Sequence, residues 1–239
     1  MPSSPSRRAR PADLLAKPFA HRGLHGLGVA ENSRAAFRAA IQAGHGIELD
    51  VQATVDGEAI VFHDYDLSRL TGSQGYLAEM TAAALREISL KGENEGLPTL
   101  KEILDLIGGR APLLIEVKSP GRRVAALSGA VRRALVGYEG PVAVMSFNPS
   151  VARWFAAHAP DILRGLVVTE EGRPKRNRLK RRLSLLWSQA DFLAYDIRDL
   201  PSAFAAASGL PVATWTVRTE AQRTTATAHA DQIIYEVPA

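Results

Sequence analysis

Residues 46–63 read GIELDVQATVDGEAIVFH. Side chains alternate across a strand, so Glu48 and Asp50 share one face while Ile47, Leu49 and Val51 share the other. The apolar set is suited to packing beneath helices, which turns the two carboxylates toward the axis of a barrel. Val55-Asp56-Gly57 follows, and an Asp-Gly step between two strand-like runs signals a hairpin. The chain then returns through Ala59–His63. A two-residue loop at Val55-Asp56 or Asp56-Gly57 sets His63 opposite Glu48 or Asp50, on the carboxylate face. A three-residue loop turns it away.

Outward from this segment, short apolar runs alternate with helical patterns along the whole chain. Strands are predicted at Phe19–His21, Gly46–Val51, Ala59–His63, Leu113–Val117, Val142–Phe147, Leu163–Val168, Phe192–Tyr195, Val212–Val217 and Gln232–Val237. Helices are predicted at Arg34–Ala43, Leu100–Ile107, Arg122–Leu135, Ser150–Ala157 and Leu179–Trp187; Asn32 and Ser33 can cap the first and Gly44 can end it. Strand–helix alternation of this kind predicts a parallel sheet with helices outside it. The fold expected is a (β/α)8 TIM barrel with a β-hairpin extension after the second barrel strand. That hairpin accounts for the one strand beyond the eight a barrel requires. No internal repeat or linker divides the sequence, so residues 18–239 read as a single barrel domain and residues 1–17 as a flexible leader.

The bulk properties exclude several classes. Hydrophobic residues make up 46% of the 239, enough for one core, yet no window nears the ~18–20 consecutive apolar residues of a membrane span. Cysteine is absent, which removes disulfides, thiolate metal sites and cysteine nucleophiles together. Arg7, Arg8 and Arg10 are not followed by an apolar segment of secretory or twin-arginine type, so a cytoplasmic location is expected. The net charge of +4 is local in origin. Arg173 to Arg182 (RPKRNRLKRR) holds seven basic residues and no acidic one, leaving −3 for the remainder. Counterion-driven nucleic-acid binding uses a broader basic face than this, and no nucleic-acid partner is expected.

Two further segments repeat the chemistry of the first. Leu113–Lys118 is an apolar run broken by Glu116, with Lys118 two residues on and on the same face. Phe19-Ala20-His21-Arg22-Gly23 ends the first strand with a histidine and an arginine. All of these residues lie at or just past strand C-termini, where barrel enzymes place their sites. Carboxylates gathered in one desolvated place repel unless a cation joins them, and an all-oxygen set suits Mg2+ or Ca2+. Two imidazoles can divide acid and base roles near neutral pH, while Arg22 and Lys118 offset charge on a phosphodiester.

With these segments in order, the sequence resembles the glycerophosphodiester phosphodiesterase family from His21 to about Val237. The matching blocks are AHRG (20–23), ENS (31–33), ELDVQATVDGEAIVFHD (48–64), LSRLTG (67–72), LPTLKEIL (97–104), LLIEVK (113–118), MSF (145–147) and TWTV (214–217). The resemblance implies His21 and His63 as the acid/base pair and Glu48, Asp50 and Glu116 as ligands of a divalent metal. It implies Arg22 and Lys118 as phosphate contacts, and Trp215 as packing against the glycerol or head-group side. A glycerol hydroxyl would attack first, and water would open the resulting cyclic phosphate to give glycerol 3-phosphate and an alcohol. The sequence departs from the family at Ala30 (usually Pro), Gln232 (commonly Gly) and Tyr235-Glu236 (commonly Thr-Asp), so Glu236 keeps an acid with a longer reach.

The basic run reads first as a solvated barrel helix, with Leu179, Leu183 and Leu186 on one face. Contact of Arg173–Trp187 with an anionic membrane is a second reading, with Trp187 at the interface. Lysophospholipase D-type activity at a membrane surface is the rival enzymatic expectation. A non-catalytic anion- or lipid-binding barrel is the rival from another class.

Overall fold

The computed structural model describes residues 10–26, 28–170 and 178–237. The strands are β1 (Phe19–Ala20), β2 (Gly46–Ala53), β3 (Ala59–Val61), β4 (Leu113–Val117), β5 (Val142–Ser146), β6 (Leu163–Val168), β7 (Phe192–Asp196), β8 (Val212–Val217) and β9 (Gln232–Tyr235). Helices α1 (Pro11–Leu14), α2 (Arg34–Gln42), α3 (Ser68–Thr71), α4 (Ala82–Arg86), α5 (Leu100–Ile107), α6 (Ala125–Ala134), α7 (Pro149–His158), α8 (Arg178–Ser188), α9 (Ala203–Ser208) and α10 (Glu220–His229) lie between or before them. The sheet runs β1-β9-β8-β7-β6-β5-β4-β2-β3, and β1 also pairs in parallel with β2. Eight parallel strands therefore close into a (β/α)8 barrel, with β3 as the antiparallel hairpin extension of β2. Among the described residues, no helix is long and apolar enough to cross a membrane.

Alternation on β2 does what the sequence predicted. Ile47, Leu49 and Val51 are fully buried in the layer shared with Phe37, Leu104, Ile107 and Val131, facing the helices. Each such side chain contributes about 1.5–3 kcal/mol on burial. That face carries the strand, and the opposite face is free to hold Glu48, Asp50 and Gln52. Inside the barrel, Phe19, Leu114, Ala143, Leu163, Val167, Phe192, Ala213 and Ile234 form a separate apolar cluster. Packing there is tight: a Cβ on Gly165 would stand 2.4 Å from the Phe192 ring. The bottom and middle of the barrel are thus filled, and polar chemistry is confined to the strand C-termini.

α5 shows why the helices were readable. Leu100, Ile103, Leu104 and Ile107 are its buried residues, Thr99 and Glu102 form a capping box, and Gly108 ends it in the left-handed region. By contrast α9 (AFAAAS) buries only Ala205 and α10 only Ala226, so neither carries an apolar period that reading could find.

Two expectations need correction. The residues expected as leader are in part structural: α1 brings Leu14 and Leu15, 2% and 4% exposed, against Phe19 and Leu114 beneath the barrel. Gln232 fixes this segment by donating to the Leu15 carbonyl at 3.0 Å. Residues 1–9 lie outside the described residues. The hairpin loop, moreover, has three residues. Val51 pairs with Val61, Gln52 with Ile60 and Ala53 with Ala59, and Thr54 N–H donates to Glu58 O at 3.0 Å. Val55, Asp56 and Gly57 make the turn, with Gly57 at φ 81°, the left-handed position a three-residue hairpin needs. In a continued ladder this register would turn His63 away from the carboxylates.

Candidate active site

His63 reaches the carboxylate side because the ladder stops short of it. β3 ends at Val61, and Phe62 N–H makes the last hairpin bond, to Asp50 O at 3.1 Å. Gln52, next after Asp50 on the inward face, is buried and its Nε2 lies 3.0, 3.0 and 2.7 Å from the carbonyls of Phe62, His63 and Asp64. That amide bends the chain out of the strand and swings the His63 ring into the cleft. Gln52 was missed from sequence, although its place in the Glu48–Asp50–Gln52 alternation was readable.

The acidic cluster sits on two neighbouring strands, with Asp50 of β2 registered beside Glu116 of β4. One carboxylate oxygen from each of Glu48, Asp50 and Glu116 lies within 4.8 Å of the others. Glu48 and Asp50 are 1% exposed. Burial, then the charges of Asp50 and Glu116, push the Glu48 carboxyl well above its ordinary range. Burial likewise raises Glu116. Burial acts the same way on Asp50, but Lys118 and Arg22 outweigh it and hold that carboxyl low.

Lys118 Nζ lies 2.9 Å from Glu116 and 3.1 Å from Asp50, and Arg22 Nε lies 3.2 Å from Asp50. Arg22 is shared with Glu31 at 2.7 Å, so three buried carboxylates are left under-compensated by two cations. The donor set, all oxygen and partly unneutralised, fits a hard divalent cation.

The loop after β1 is shaped around this cluster. Arg22 has φ 56°, an uncommon conformation for a non-glycine residue, and its N–H donates to Glu48 Oε2 at 3.0 Å. Gly23 follows at φ 79°, where a Cβ would meet Ala36 at 2.8 Å. Asn32, also at positive φ, donates to Asp50 Oδ2 at 3.0 Å, while Ser33 caps α2. Asn32, expected with Ser33 as a cap of the first helix, therefore touches the acidic cluster directly.

Each histidine has a carboxylate at Nδ1. His21 Nδ1 is 2.5 Å from Glu236 Oε1, and its Nε2 is 3.9 Å from Glu48. His63 Nδ1 is 2.6 Å from Asp64 Oδ1. With an acceptor at Nδ1, the neutral ring carries its proton there and presents a basic Nε2. Burial lowers both rings below the usual histidine range, partly offset by Glu236 for His21 and by Asp50 for His63.

The supporting carboxylates are themselves braced. Arg218 bonds Glu236 at 2.6 and 3.0 Å, and Arg69 bridges Asp64 at 2.5 Å to Glu31 at 2.8 Å. Asp64 and Arg69 stood in the matched blocks without a role, and Glu236 stood out only as a departure.

His21, His63, Glu48, Glu116, Arg22 and Lys118 line one cleft of about 400 Å³. Its other wall is Trp215, half-buried, with Nε1 donating to Ala194 O at 3.0 Å and its ring edge-on to Phe147 at 5.5 Å. The structure thus brings every residue expected from sequence to one place, with Asp50 just beneath the cleft floor. The cleft can hold an anion between two imidazoles and an acidic, cation-binding floor, beside an aromatic wall.

The sequence model of the Glycerophosphoryl diester phosphodiesterase family matches residues 21–239. The glycerophosphodiester phosphodiesterase of Caldanaerobacter subterraneus subsp. tengcongensis is 35% identical over 62% of this chain and 65% of its own length. That of Bacillus altitudinis is 33% identical over 62% and 64%. The chain therefore spans somewhat under two thirds of these relatives. Among solved structures, an Oleispira antarctica phosphodiesterase in complex with the product sn-glycerol-3-phosphate superposes with TM-score 0.78, covering 93% of this chain and 94% of that one at 24% identity. A glycerophosphodiester phosphodiesterase from Thermotoga maritima gives 0.72, covering 91% and 92% at 23% identity. At these identities the two structures speak for the fold.

Proposed function

The chain belongs to the glycerophosphoryl diester phosphodiesterase family, and on that premise we propose that it hydrolyses glycerophosphodiesters to glycerol 3-phosphate and a free alcohol. The observation that carries the reading is the convergence of two carboxylate-tethered histidines on one buried acidic cluster within a single cleft. Glu48, Asp50 and Glu116 would hold a divalent cation, Mg2+ or Ca2+ by donor type. When bound, it would act as a Lewis acid toward a non-bridging phosphate oxygen.

The chain's own residues supply the rest. One imidazole Nε2 takes the proton of a substrate glycerol hydroxyl as its oxygen forms a bond to phosphorus. The other imidazole, entering the step protonated on both nitrogens, donates its Nε2 proton to the departing alkoxide, leaving a cyclic phosphate. The roles then reverse as water adds to phosphorus and the ring opens. Burial favours the neutral, basic form of both rings, while Glu236 and Asp64 stabilise each ring when it gains a proton. Arg22 and Lys118 add positive charge where phosphate oxygens would lie, and the Trp215–Phe147 wall bounds the organic side.

Glycerol 3-phosphate release from glycerophosphocholine and glycerophosphoethanolamine, with Mg2+ or Ca2+ and then with chelator, tests this. Release abolished by chelation and restored by metal is the expected result. No release from any such diester by folded, metal-loaded protein would contradict it.

A further inference from the structure

Leu179, Leu183, Leu186 and Trp187 fall on one face of α8 by their spacing. A barrel helix ordinarily turns such a stripe toward the sheet. In α8 these residues are instead 66%, 56%, 76% and 51% exposed, while the inward face carries Arg181, only 8% exposed, and fully buried Ser188 beside the partly buried Leu185.

The orientation is held from the inside. Arg181 Nη2 donates to Glu170 at 2.7 Å, and its guanidinium lies over the Phe204 ring at 5.7 Å. Glu170 also accepts from Ser202 at 2.8 Å and from the Tyr195 hydroxyl. Rotating the helix to hide its leucines would break that network and bury Lys180 or Arg182 instead. Those two exposed cations flank the ridge on either side, positioned to let long basic side chains reach outward around an apolar insertion.

The ridge begins near the functional end of the barrel and runs along α8 toward the start of β7. α8 follows the C-terminal end of β6, and Lys180 and Arg181 line a cavity of about 120 Å³ that shares Phe147 with the catalytic cleft. In sequence, the run Arg173–Arg182 adds further basic residues and no acidic one. Residues 171–177 lie outside the described residues, so they enter by charge alone.

We propose that this face of α8 docks on an anionic lipid bilayer, with Leu179, Leu183, Leu186 and Trp187 at acyl-chain level and Lys180 and Arg182 among the head groups. Charge complementarity selects this occupant. A second copy would oppose one basic run to another, and a nucleic acid would leave the leucine ridge uncovered. The inference stands apart from the hydrolytic reading, because it concerns a surface outside the cleft.

Flotation of the full chain with vesicles tests it. Binding to phosphatidylcholine mixed with phosphatidylglycerol, weakening with salt, and little binding to phosphatidylcholine alone are expected. Two variants, Leu183→Ser/Leu186→Ser/Trp187→Ser and Lys180→Glu/Arg182→Glu, should each lose about tenfold or more in partitioning while keeping the wild-type Tm. Tryptophan quenching by brominated lipid in the unaltered protein gives a readout independent of the variants. Absence of flotation on anionic vesicles at low salt, absence of quenching, or undiminished binding by the ridge variant would overturn the proposal. So would a solution dimer that the ridge variant converts to monomer, which would assign the face to a second copy.

Discussion

His21 Nδ1 and Glu236 Oε1, on the residues just past the C-terminal ends of β1 and β9, stand 2.5 Å apart. Glu236 is locked in turn by Arg218, and this pairing raises a histidine that burial otherwise lowers. Removing the carboxylate therefore lowers the His21 pKa further. In Glu236→Gln, whichever limb of the pH profile of kcat/KM reports His21 should move to lower pH. Rate measurements from acid to neutral pH check this, and an unmoved profile would mean that Glu236 does not tune the ring.

Burial, followed by mutual repulsion, raises Glu48, and a bound cation removes that penalty. A metal present at roughly a hundredfold over its Kd should stabilise the fold by about 2.7 kcal/mol. At about 2–4 °C per kcal/mol, that is roughly 5–10 °C in Tm. Thermal melts with Mg2+, Ca2+ and Mn2+ should show this gain in the wild type and its loss in Glu48→Gln and Glu116→Gln. Equal gains in all three proteins would place the cation elsewhere.

Gln52 does not itself line the cleft, yet it holds three successive carbonyls around His63, which does. Gln52→Leu should misplace the ring and lower kcat by roughly tenfold to a hundredfold, on the scale of a 1 Å displacement, with KM little changed. A kinetic split with KM raised and kcat intact would assign Gln52 to substrate binding instead.

Asp64 and Glu236 are each held down at about 2, despite burial, by Arg69 with His63 and by His21 with Arg218 respectively. Both folded values lie below the unfolded ones, so their stabilisation is present above about pH 4–4.5. It is lost as pH falls toward about 2. Tm against pH should fall more gently across that window in Asp64→Asn and Glu236→Gln than in the wild type. A parallel fall would show that these pairs are energetically neutral.

The barrel was legible because β4, β5 and β6 carry short apolar runs, β2 alternates apolar with polar residues, and helices such as α5 carry both period and caps. The acidic cluster was legible because strand alternation puts Glu48 and Asp50 on one face, and Glu116 repeats the pattern on the neighbouring β4. His63 was placed on the right side for an incomplete reason. The turn has three residues, and the ring reaches the cleft only because Gln52 ends the ladder early, a long-range contact that local turn chemistry does not encode. Leu14 and Leu15 were hidden by the basic, proline-rich residues before them, which mimic a leader. On α8 the period was read correctly, but which face turns inward is decided by Glu170 and Phe204, which lie outside the helix they orient.

Turnover of His21→Ala, His63→Ala and the double variant on glycerophosphocholine tests the shared role of the two rings most directly. Each single loss should lower kcat/KM by about 10²–10⁴, the range of general acid–base catalysis, while metal-induced stabilisation persists. The double variant should lose little more, as residues of one catalytic unit do. Wild-type turnover by either single variant, with fold and metal binding intact, would contradict the account.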